Sequence, residues 1–147
     1  MIAAEEQRQH VMVADDDRDD FLAFEVACEE FSFKILLSHV TNSDALMKAL
    51  AEHLPDILFL DIMMPTMTGT MCLRELRLNR KYDALPIIMY TSMTDVENIE
   101  FCFREGANLY VIKPSSFLEL RQTLQRILTI NWKTTMYFPT RDSFVVG

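Results

Sequence analysis

The sequence predicts an α/β domain built on a doubly wound, five-stranded parallel sheet with helices on both faces. Three observations lead there. Five short strand-like runs are mainly apolar, and four of them are free of polar interruptions, as strands buried on both faces must be. These runs alternate strictly with segments whose apolar residues recur at helical spacing, and such alternation builds parallel sheets. Three of the runs lead directly into a charged residue, and open parallel sheets gather ligand-binding groups just beyond the carboxyl ends of their strands.

The first strand is expected near Val11 to Ala14, followed by a helix with Phe21, Phe24, Cys28 and Phe31 on one side. A second strand, Lys34 to Val40, leads to a helix opening at Asn42 or Ser43 and burying Leu46, Ala49 and Leu50. Pro55 stops that helix ahead of the third strand, Ile57 to Leu60, because proline cannot continue a helical ladder. A loop from Pro65 to Gly69 precedes a helix carrying Cys72, Leu73 and Leu76. Pro86 introduces the fourth strand, Ile87 to Tyr90, and Thr94 or Asp95 caps a helix with Ile99, Cys102 and Phe103. Gly106 is placed to close it as a glycine C-cap does. The fifth strand is Leu109 to Ile112, and Phe117, Leu120, Leu124, Ile127 and Leu128 form the stripe of the last helix.

The 147 residues suffice for one domain with a full core. Lys and Arg total 14 against 22 Asp and Glu, a formal charge of −8. That balance argues against gripping nucleic acid, which needs a basic surface. Cys28, Cys72 and Cys102 are odd in number and sit in apolar helical patterns, so they read as buried free thiols. The polar start, Met1 to His10, is no signal peptide. No apolar stretch reaches the roughly 18 residues of a membrane span. A cytoplasmic location is therefore expected.

Asp15 and Asp16 follow the first strand, Asp61 the third and Lys113 the fifth; parallel topology should bring them to one crevice. A carboxylate there can accept a phosphoryl group and form an acyl phosphate. Clustered carboxylates repel one another, and Mg²⁺, which favours oxygen ligands, relieves that repulsion. Lys113 offers a positive point for a phosphoryl oxygen, and Thr91 adds a hydroxyl on the same rim. Asp17, Asp19 and Asp20 are read more simply, as acids favoured at a helix N-terminus. His10, His39 and His53 lack metal-ligand spacing and read as surface or strand-edge residues.

The motifs Val13-Ala14-Asp15-Asp16-Asp17, Asp56 through Asp61 to Pro65, Pro86 through Thr91-Ser92, Gly106-Ala107 and Tyr110-Val111-Ile112-Lys113-Pro114 occur in order. Together they make His10 to Leu128 resemble a response-regulator receiver domain, the phosphoacceptor partner of a histidine kinase. The resemblance implies a flavodoxin-like (βα)5 fold, with residues 1–129 as the receiver unit. It implies phosphorylation of Asp61, Mg²⁺ held by Asp16, Asp61 and the backbone carbonyl of Met63, and Asp15 acting through water. Thr91 would follow the phosphoryl group, Lys113 would bind one of its oxygens, and Tyr110 would swing inward as a switch. In that family the Lys113–Pro114 bond is usually cis, aiming the lysine at the crevice. The implied partners are a sensor histidine kinase and a downstream protein or phosphotransfer partner.

Two departures from the pattern carry information. Met63 and Met93 stand two residues beyond the acceptor and the threonine, where many receivers place a polar side chain that orients water; slow loss of the phosphoryl group is expected. Residues 130–147 contain Trp132, Tyr137, Phe138, Phe144 and Val145-Val146, too aromatic for a disordered linker. This extension should pack back on the domain or form a homodimer contact. Such extensions resemble those of standalone regulators paired with phytochrome-type or other hybrid kinases.

Competing readings are weaker. A haloacid-dehalogenase-type phosphohydrolase wants an aspartate where Met63 stands, and a flavin module wants a Ser/Thr/Gly-rich loop where the acidic cluster stands. A structural pseudo-receiver leaves the full set of acids and Lys113 without a purpose.

Overall fold

The computed structural model describes residues 8–134 and 138–147; expectations that fall on Met1–Gln7 and Tyr137 lie outside the described residues. The elements run β1 (Gln9–Ala14), α1 (Arg18–Glu29), β2 (Ile35–Val40), α2 (Ser43–Glu52), β3 (Ile57–Leu60) and α3 (Gly69–Leu78). A 3-10 turn (Arg80–Tyr82) follows, then β4 (Ile87–Thr91), α4 (Val96–Arg104), β5 (Leu109–Ile112) and α5 (Phe117–Leu128). The extension contributes α6 (Arg141–Phe144) and β6 (Val145–Val146).

The strands are all parallel, in the order β2-β1-β3-β4-β5-β6. The sheet therefore has six strands, not five. The sixth pairs Val145 with Tyr110 and Val146 with Val111; two residues are too few to show a strand's alternation in sequence.

Alternate side chains of each strand feed opposite cores. Met12, Leu58, Leu60, Met89 and Tyr110 pack with Leu46, Leu73, Leu76 and Cys102 on one face. Val11, Val13, Phe59, Ile88 and Val111 pack with Phe24, Leu120, Leu124 and Ile127 on the other. Helices on both faces explain why β1, β3, β4 and β5 read as apolar runs, while the edge strand β2 carries Ser38 and His39. All three cysteines are free and buried, and burial pushes the Cys28 and Cys102 thiols up to about 12.

The helix ends follow their sequence signals. Asn42 accepts from the Ala45 N–H and Asp95 from the Asn98 N–H, each satisfying a donor that the first turn leaves open. Gly106 adopts φ +91°, a conformation favoured by glycine. This lets its N–H reach Phe103 and the Ala107 N–H reach Cys102, closing α4.

The aromatic extension packs back on the domain. Trp132 is buried and its Nε1 donates to the Ile127 carbonyl, 3.1 Å away, at the end of α5. Phe144 is fully buried, edge-on to Phe103 and tilted against Tyr110; such burial contributes about 1.5–3 kcal/mol. Arg141 pairs with Glu100 on α4, while Phe138 stays exposed.

Candidate functional site

Parallel pairing places the carboxyl ends of β1, β3, β4 and β5 along one edge of the sheet, and backbone hydrogen bonds continue just past them. The Asp15 N–H donates to Val40, Asp61 to Ala14, and Lys113 to Thr91, at 2.8–3.0 Å. Each chemical group is thus held by the sheet itself. Asp15 is fully buried, Asp61 is 5 % exposed and Thr91 is buried at the end of β4.

Lys113 stands at the centre. Its Nζ lies 2.8 Å from Asp15 Oδ2, 2.9 Å from Asp61 Oδ2 and 2.7 Å from Asp20 Oδ2, and 5.5 Å above the Tyr90 ring. The contacts to Asp20 and Asp61 are directed hydrogen bonds; the contact to Asp15 Oδ2 is an ion pair without that geometry. Three carboxylates against one ammonium leave the crevice negative. Burial alone would lower the lysine's pKa, but its three partners outweigh burial and hold it above the ordinary lysine value. Burial pushes Asp15 up to about 6, offset only in part by Lys113 and the Asp17 N–H, with Asp61 adding to the rise. For this pair burial dominates at the aspartate, because Asp15 has no access to water.

Asp61 Oδ1 points away from the lysine and takes only a long 3.4 Å contact from the Met63 N–H. One oxygen of the Asp61 carboxylate is thus engaged by Lys113, and the other is loosely held. Met63 carries its side chain outward, 61 % exposed. Thr91 Oγ1 accepts from the Met93 N–H at 3.3 Å. Tyr110 is fully buried, and its hydroxyl donates to the Met93 carbonyl at 2.7 Å. The loop after Thr91 is thereby tied to the tyrosine that Phe144 covers.

The structure brings together Asp15, Asp61 and Lys113, with Thr91 at the end of the neighbouring strand. It does not bring Asp16 into the lysine cluster: Asp16 is exposed and lines a separate groove with Arg18, Phe21 and His39. Among the described residues no three acidic, histidine or cysteine side chains form a ready metal cage; Lys113 stands among the carboxylates instead. The Lys113–Pro114 bond, usually cis in the family that the sequence resembles, is trans here. No peptide bond among the described residues is cis, and trans is the ordinary form even before proline.

Three contributors escaped the sequence reading. Asp20, read only as a helix-start acid, binds Lys113; its sole signal was its place on the first turn after the acidic pair. His39 stacks flat on Phe21 at 3.8 Å, and its Nε2 lies 2.7 Å from the Asp15 carbonyl oxygen, buttressing the β1–α1 loop. Gly69 was read as part of a loop but opens α3, tight against the Asp61 backbone, with its N–H donating to the Ile62 carbonyl at 2.8 Å.

A family model described as the response regulator receiver domain matches residues 11–125. A probable transcriptional regulator ycf27 from Cyanidium caldarium is 30 % identical over 122 residues, covering 83 % of this chain and 47 % of that protein. The DNA-binding response regulator MtrA of Mycolicibacterium smegmatis is 31 % identical over 115 residues, covering 77 % of this chain and 47 % of its own. The chain spans about half the length, or less, of the curated relatives it matches. Among solved structures, the Mn²⁺-bound response regulator Rcp1 superposes with a TM-score of 0.78 at 17 % identity, covering 90 % of this chain and 99 % of that one. The phosphorylated cyanobacterial phytochrome response regulator RcpA gives 0.80 at 17 % identity, with the same coverage. At such identity these two likenesses speak to fold alone. No helix among the described residues is long and apolar enough to cross a membrane.

Proposed function

This chain belongs to the response-regulator receiver domain family, a signalling domain rather than a classical enzyme, and from that premise we propose that Asp61 is its phosphoacceptor. The observation that carries the reading is a nearly enclosed carboxylate, 5 % exposed, at the end of β3 with Lys113 Nζ 2.9 Å from one oxygen. The donor is a phosphohistidine on a sensor histidine kinase. An Asp61 oxygen bonds to phosphorus as the phosphorus–nitrogen bond of the donor breaks, leaving neutral histidine on the kinase once a proton is taken up. Lys113 then offers its charge to the phosphoryl oxygens, where negative charge spreads during transfer.

The donor chemistry fits Mg²⁺: the atoms able to ligate it are all oxygens, and carboxylates outnumber the ammonium three to one. Asp15, Asp61 and the Met63 carbonyl would hold the ion, and Asp16, which rests in the neighbouring groove, would join them by turning toward the crevice. When bound, the ion supplies neutralising charge for an incoming anion. Thr91 and Tyr110 are proposed as the switch, since both bond to Met93, and a receiver's output is a biased two-state element. The output partner is a downstream protein, a phosphotransfer partner or a second copy of the chain; the net charge of −8 disfavours direct contact with nucleic acid. The division into a receiver unit, residues 1–129, and an extension, 130–147, belongs to the same proposal, as does a cytoplasmic setting.

Incubation with acetyl phosphate and Mg²⁺ should add one phosphoryl group, seen by intact-mass measurement, and Asp61→Asn should abolish it. An adduct that survives this substitution would remove the reading. The adduct should also decay slowly, because the exposed Met63 thioether cannot orient an attacking water and Met93 is no better suited. Decay of the adduct within seconds in the presence of Mg²⁺ would contradict that expectation.

A further inference from the structure

The most informative group that the family motif leaves unused is Asp20. It sits in the first turn of α1, where its own N–H donates to the Asp17 cap, and its carboxylate meets Lys113 at 2.7 Å. An ammonium has three N–H groups. Asp61 and Asp20 take two of them in directed hydrogen bonds at 2.9 and 2.7 Å, and Asp15 pairs with the charge at 2.8 Å. A phosphoryl oxygen arriving on Asp61 therefore meets an ammonium already ringed by three carboxylates within 3 Å, and it must compete with one of them for the charge.

The three partners are not equally able to give way. Asp15 is fully buried and its Oδ1 is fixed by the Asp17 N–H at 2.9 Å. Asp61 is the group being modified. Asp20 has a side chain 38 % exposed, so water can solvate its carboxylate once the lysine turns away. Building on the phosphoacceptor reading, we infer that Asp20 is a positioning residue for Lys113: in the resting protein it competes for the charge that a phosphoryl oxygen on Asp61 must share. Its carboxylate stands in for that oxygen, keeping the lysine directed toward the mouth of the crevice while restraining phosphorylation. Release of Asp20 accompanies the modification, which makes the start of α1 a region that changes its contacts when Asp61 is charged.

The test uses the full chain with acetyl phosphate and Mg²⁺. The Asp61 oxygen forms a bond to phosphorus as the bond from phosphorus to acetate breaks, and acetate leaves. Asp20→Asn should raise the second-order rate constant about fivefold at low salt, the worth of a half-exposed ion pair, and the gain should shrink as ionic strength rises. Asp20→Ser should behave alike, and Asp20→Glu, which keeps the charge, should return the rate to that of the wild type. In a Lys113→Gln background the gain should vanish, because Asp20 then has no lysine to hold. An unchanged or slower rate in both uncharged variants overturns the inference, and so does a gain that persists without Lys113, which would make Asp20 a simple repelling charge. A wild-type chain that takes no phosphoryl group at all fails differently: it removes the phosphoacceptor reading before any variant is compared.

Discussion

Gly69→Ala should abolish measurable phosphorylation and destabilise the fold by about 3 kcal/mol, the upper end of the cost of overpacking. A methyl group on Gly69 would lie 1.9 Å from the Asp61 carbonyl oxygen and 2.8 Å from Ile62 Cα. Those are backbone atoms, so no rotamer change relieves the clash. Either α3 moves off the loop after β3, losing the Gly69 to Ile62 hydrogen bond, or the segment carrying Asp61 and Met63 shifts. Chemistry that depends on placement loses rate steeply with small displacements. Gly106→Ala is the control. There a methyl group meets nothing closer than 3.5 Å, so the cost is the positive φ alone, about 1–2 kcal/mol. Rates with acetyl phosphate and thermal unfolding on both variants separate the cases. A Gly69→Ala protein that phosphorylates at the wild-type rate would refute the close-packing argument.

Arg77→Met should lower stability by about 3–5 kcal/mol, the range for breaking a buried hydrogen-bonded charge. Arg77 lies on α3, and its guanidinium donates to the carbonyls of Gly106, Tyr82 and Leu85 and to Asn108 Oδ1 at 2.8–3.0 Å. It therefore joins α3, the 3-10 turn, the entry to β4 and the entry to β5. Burial pulls its pKa down to about 10, opposed in part by Asp83, so it remains charged at neutral pH. Methionine fills the volume but leaves buried carbonyls without donors. Lysine should not rescue, since one ammonium cannot reproduce the spread of a planar fork. Urea denaturation measures it: with a slope of about 1–3 kcal/mol per molar, the midpoint should fall by more than 1 M. A fall under about 0.3 M would show that water replaces the guanidinium at little cost.

The central strands were legible because burial on both faces forces unbroken apolar runs, and Ile57–Leu60 and Leu109–Ile112 appear with the expected bounds. Asp15, Asp61, Thr91 and Lys113 were legible because strand ends in a parallel sheet share an edge. Asp20 was not, because an acid near a helix start already has a sufficient local reason; its bond to a residue 93 positions away leaves no local trace. Arg77 is hidden for a related reason. Its partners are mostly backbone carbonyls, and every residue type carries one. The extension announced itself through its aromatic content, but the four residues of α6 and two of β6 are too short to show a period. Whether it would turn inward was not written in composition.

The pairing of β6 alongside β5 has a practical consequence for instrumentation. Because the two strands run parallel, Gly147 leaves the sheet at the reactive edge, with its backbone against Ile112, one residue before Lys113. A fluorophore on a cysteine substituted at position 147 would report from beside the candidate crevice. Arg8, just ahead of Gln9, stands at the opposite edge, the length of a six-residue strand away, about 20 Å at the usual rise. The same label at position 8 would stand clear of the crevice and serve as the control.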